Sequence, residues 1–176
     1  MPRSDAQSNH ARLLAAAKEV FAEDGPGAPL DRIARRAGVG NATMYRHFPS
    51  RRELITAVYA DEVAELRGRA DLSSADPADA LFAWLKLFIE HVRTKRDLAL
   101  SLTDPAGAHE ARFAEWHAGM NETGAALLSR AQAASMAAAD VEALDVLLLC
   151  TGIALSGGDP ERLLELVRRA AAPRLG

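Results

Sequence analysis

Apolar residues recur at helical spacing in one segment after another along this 176-residue chain. Leu13, Leu14, Ala17, Val20 and Phe21 form the stripe of a first helix, expected from about Asn9 to Asp24 and closed by Gly25 and Pro26. Leu30, Ile33, Ala34 and Ala37 share one face of a short second helix. Met44 and Phe48, four apart, turn the buried side of a third helix back onto it. A fourth helix is expected from Arg51 to about Gly68, with Leu54, Val58, Tyr59, Val63 and Leu66 inward. Asp76 as N-cap and Pro77 as first residue open a fifth, to about residue 95. Its inward face is Phe82, Leu85, Phe88, Ile89 and Val92, with Trp84 and His91 on the flanks. A short helix from Leu98 to Thr103 should end at Asp104-Pro105. A long one follows from about His109 to Ala134, carrying Phe113, Trp116, Met120, Leu127 and Leu128. Two more, opened by Asp140 and by Asp159-Pro160, bring the total to about nine.

The last two helices carry more apolar surface than one buried stripe needs. Leu144, Leu148 and Leu155 in one, with Leu163 and Val167 in the other, are the expected surface of a homodimer, a four-helix bundle around a twofold axis. The competing reading is a helix pair wholly internal to a monomer. Abundant alanine and leucine, few aromatics and sparse β-branched residues agree with an all-α protein. The single cysteine, Cys150, lies in an apolar run, which excludes an intramolecular disulfide and a cysteine-rich metal site. That run is too short to span a bilayer, so no membrane role is expected. The N-terminus carries no apolar core of signal-peptide type, and a reducing cytoplasm is the expected compartment.

Leu30 to Phe48 has the pattern of a helix-turn-helix whose second helix enters the DNA major groove. Gly38 supplies the residue free to take positive φ after the first helix, and also a close crossing of the two helices together with Ala34. Val39 plugs the angle between them, and Gly40-Asn41 opens the second. The outward face then carries Asn41, Thr43, Tyr45, Arg46 and His47, which can hydrogen-bond phosphates and base edges. Ser50-Arg51-Arg52-Glu53 reads as a capping box, and its two arginines at a helix start point to phosphate contact. Net charge is −3, yet residues 1–52 hold nine Lys/Arg against five Asp/Glu. The cation excess therefore coincides with the helix-turn-helix. No paired metal spacing or acid–base set stands out among the five histidines, so no enzyme activity, cofactor or metal is expected.

The run R-L-L-A-A-A-K-E-V-F-A-E-D-G, followed by I-A-R-R-A-G-V-G-N-A-T-M-Y-R-H-F-P-S-R-R-E-L, resembles the DNA-binding domain of the TetR family of transcriptional regulators. More loosely, L-F-A-W-L-K-L-F-I-E-H-V-R-T-K-R-D-L-A and L-L-S-R-A-Q-A-A are similar to the C-terminal halves of SbtR-like members. One departure is Pro29, which stands where many members have a phosphate-touching threonine. The resemblance implies a DNA-binding domain over residues 1–52 and an effector-binding and dimerisation domain over residues 53–176. It also implies a cavity for a small-molecule effector, for which Trp84, Phe88, His91, Trp116, His117 and Met120 are the candidate lining. Core packing explains most of that aromatic and Met set equally well. The expectation is a dimeric repressor released from a palindromic double-stranded DNA operator by a small hydrophobic effector. The alternatives are a helical DNA-binding regulator with a solid core, controlled by a protein partner, and, without visible residues to support it, a small helical enzyme.

Overall fold

The structure, a computed structural model, describes residues 3–102 and 110–173, with side chains from 7–102 and 114–173. The side chains of Arg3 and Phe113, the break at Asp104-Pro105 and the start at His109 lie outside the described residues. Among the described residues there are eight helices and no strand. They are α1 (Arg3–Asp24), α2 (Leu30–Arg36), α3 (Asn41–His47), α4 (Arg51–Gly68), α5 (Pro77–Leu102), α6 (Glu110–Ala133), α7 (Ala143–Leu155) and α8 (Pro160–Ala170). The all-α architecture is as expected. The count differs by one because the separate helix at Leu98 is the continuation of α5. The polar run Thr94-Lys95-Arg96-Asp97 reads as a break but is only a turn of helix with a hydrophilic side. Lys95 pairs there with Glu62 at 2.8 Å.

Local chemistry sets most boundaries. Gly25, at φ +77°, ends α1, its amide donating to Phe21 O at 3.0 Å. The Ser50 hydroxyl accepts from the Glu53 amide at 3.2 Å and opens α4. Asp76 accepts from the Asp79 amide at 2.9 Å. Asp159 accepts from the amides of Glu161 and Arg162, starting α8 behind Pro160. The opening of α7 is different: Glu142, not Asp140, precedes its first residue, and no side chain caps it.

The chain divides into two compact units, one built on residues up to Glu62 with the end of α5 from Lys95, the other on Val63–Thr94 and the chain from Glu110 onward. In the first, Leu13, Ala17 and Val20 of α1, Ile33 and Ala34 of α2, Met44 of α3 and Leu54 and Val58 of α4 are almost fully buried. In the second, Trp84 is buried rather than flanking: its indole N–H donates to Leu66 O at 2.9 Å and its ring stacks on Phe88 at 5.8 Å. A Cβ at Gly124 of α6 would meet both Trp84 and Leu147 at 3.5 Å, so α6 approaches α5 and α7 closely there. Cys150 has no exposed surface, and burial pushes its thiol up to about 12. His91 is buried as well.

Candidate nucleic-acid interface

The buried side of α3 is narrow, and that leaves its other side free. Met44 is fully buried and Phe48 nearly so, which rolls Gly40, Asn41, Tyr45 and Arg46 outward, with Tyr45 51% exposed. Thr43 and His47 are half-buried at the edges of this face. Gly40, which precedes α3, and the five residues expected on the outward face of that helix are therefore all exposed or partly exposed. Arg46 lies back along its own helix, Nε donating to Ala42 O at 3.2 Å and Nη2 to Thr43 Oγ1 at 2.9 Å. Contact with a base edge would exchange these two bonds for others.

The turn before α3 is fixed by Gly38, at φ +66°. A Cβ there would meet only the far end of the Arg12 side chain, so the crossing of the two helices does not explain the glycine. Backbone conformation does. Arg12 covers the turn from α1, donating to Gly38 O at 3.3 Å and to Asn9 Oδ1 at 3.4 Å. His10, on the same helix as Arg12, sets its ring 4.9 Å from Phe48 and 6.0 Å from His47. Sequence reasoning places neither Arg12 nor His10 at this surface. Both are far along the chain from the residues they touch, and no local pattern marks such a contact.

The cation excess is largely spent inside the unit. Arg36 pairs with Glu23 at 2.7 Å and Glu19 at 3.3 Å, Arg32 with Glu23 at 2.6 Å and with Asp24, and Arg35 with Asp31 at 3.1 Å. The hydrogen bond from Arg36 holds the Glu23 carboxyl below the usual carboxylate range. Arg51 turns inward, Nη1 donating to Pro26 O at 2.9 Å and to Ala28 O, and Arg52 Nη2 donates to Leu102 O at 3.2 Å. Both guanidiniums thus tie α4 to neighbouring main chain. Arg12 and Arg46 differ from Arg32, Arg35 and Arg36, since the bonds described for them go to oxygens without formal charge rather than to carboxylates.

Residues 13–58 match the family profile described as bacterial regulatory proteins, tetR family, and residues 76–170 match the SbtR-like transcriptional regulator C-terminal domain. The chain belongs to the TetR family of transcriptional regulators. It is a DNA-binding regulator of that family, whose members act as dimers. A TetR transcriptional regulator from Streptomyces coelicolor is 35% identical, with a TM-score of 0.74 over 94% of this chain and 99% of that one. Another from Mycobacterium vanbaalenii is 32% identical, with a TM-score of 0.77 over 97% and 98%. The uncharacterised regulator TtgW of Pseudomonas putida is 43% identical over 58 residues, 32% of this chain and 43% of that protein. The chain thus spans less than half the length of the curated relatives it matches. Among the described residues no helix is long and apolar enough to cross a membrane.

The other expected site residues lie in the second unit. Trp84, Phe88, His91 and Met120 are buried, Trp116 is half-buried and His117 is exposed. Leu144, Leu148 and Leu155 are each more than half exposed, while Leu163 and Val167 of α8 are half-buried.

Proposed function

We propose that this regulator is a repressor that binds a palindromic operator as a homodimer and is released by a small, largely apolar effector. The observation that supports it best is the pairing of two surfaces: a polar, outward α3 and an apolar, outward α7–α8. One seven-residue helix reads only a few base pairs. Two copies joined through Leu144, Leu148, Leu155, Leu163 and Val167 would set two such helices about 34–36 Å apart, or a multiple of the helical repeat. Asn41 and Arg46 are the base-edge candidates; Gly40, Thr43, Tyr45 and His47 would meet the backbone. Arg12 would add a phosphate contact in exchange for its long, exposed bond to Gly38 O, and any such contact from Arg51 or Arg52 competes with the part-buried carbonyl bonds they hold. The test is a reporter promoter carrying the bound site: transcription should fall when the protein is supplied. A rise would make it an activator.

The effector would sit among Trp84, Phe88, His91 and Met120, with Trp116 and His117 at the exposed edge. Binding there would favour a dimer whose spacing no longer fits the operator. One observation favours the alternative of a solid core under the control of a protein partner: Trp84 is fully buried against Phe88 and close to Gly124. Met120→Trp separates the two. With a cavity, the variant keeps its fold and alters DNA release. With a solid core it loses about 1–3 kcal/mol of stability from overpacking, and DNA affinity is unchanged.

A further inference from the structure

Gly152 lies inside α7, among Leu148, Leu149 and Leu155, whose exposures are 60, 56 and 55%. Glycine in a helix interior is disfavoured relative to alanine, because it surrenders more backbone freedom on folding. A Cβ built at Gly152 meets nothing within 4 Å. The protomer itself therefore gives no steric reason for the missing side chain, unlike Gly124, which faces Trp84 and Leu147. We infer that Gly152 is the point where a second copy of this chain crosses α7, its bare backbone letting the two surfaces approach.

This rests on the dimer reading above and adds to it the position of closest approach. Gly152 lies in a shallow groove with Asp145, Leu148, Leu149, Ile153 and Leu163. One side of α8 is already used within the protomer, Glu161 pairing with Lys86 and Arg168 with Asp79. Arg162 and Leu166, four residues apart, lie on the outward side. Asp145 and Arg162 are exposed and have no ion pair among the described residues. The face thus combines apolar surface with one charge of each sign. That is what a twofold contact requires, because the same patch must be complementary to itself.

The experiment is sedimentation equilibrium on the full chain, with Gly152→Ala, Gly152→Leu and the control Ala22→Leu on an exposed position of α1. Helical content by circular dichroism is read alongside. Gly152→Leu should weaken dimerisation by about tenfold or more, the scale of an overpacked contact. Gly152→Ala should weaken it less while helical content stays level or rises, opposite directions that a purely structural glycine would not give. The control should leave dimerisation unchanged. Should Gly152→Leu misfold, Gly152→Ala decides alone. If the wild type is a dimer and neither variant weakens it, the role of Gly152 is overturned and the dimer reading stands. A monomeric wild type at micromolar concentration overturns both.

Discussion

Arg51 satisfies the carbonyls of Pro26 and Ala28 with one guanidinium nitrogen, so truncating it leaves both oxygens without that donor. Arg51→Ala should lower stability by about 1.5–3 kcal/mol, the range for hydrogen bonds from a charged group. Arg12→Ala should instead spare the melting temperature and flatten the salt dependence of DNA binding by roughly one unit. The reverse pattern in the two variants would exchange their roles. Cys150 gives a simpler test. The thiolate is the reactive form, and burial pushes this thiol up to about 12. Folded protein near neutral pH should therefore resist a thiol reagent that labels it readily in denaturant. Rapid labelling of the folded chain would show an open path to α7. The outward residues of α3 are legible in the sequence because exposure follows the helical period. The partners of Arg51, Arg52 and Arg12 are not, because each bond to distant main chain joins positions 23 to 50 residues apart.

At the scale of the element, α2 is attached to α1 by charge as well as by packing. Arg36 and Arg32 share Glu23, and the bond from Arg36 lowers the Glu23 pKa from its ordinary value of 4.5. A carboxyl with a lowered folded pKa contributes stability above its ordinary value and loses it as pH falls through the folded one. The melting temperature should therefore drop on acidification below about pH 4.5, and Glu23→Gln should make that limb shallower. Parallel acid limbs in the two proteins would remove Glu23 from the account. Exposure of these groups keeps the effect small. Caps are readable because Ser50, Asp76 and Asp159 act within three residues. The join between residues 95 and 98 is not, because Lys95 finds its partner in Glu62 of α4, which no local pattern reveals.

For the whole molecule, the proposed reading has a chain of net charge −3 meet DNA through a small polar surface, since most of its N-terminal arginines are already paired or hydrogen-bonded. On that reading, specificity would depend on α3 being presented twice at a fixed spacing, with the apolar surface of α7 and α8 as the means. The measurement closest to this claim is selection of bound sequences from random duplex DNA by the purified chain, repeated with Arg46→Ala. A palindrome should emerge, with half-sites one helical turn or a multiple apart. Arg46→Ala should weaken binding by about 1–3 kcal/mol and relax preference at one base pair in each half-site. Enrichment of a single asymmetric site, or of none, would contradict it.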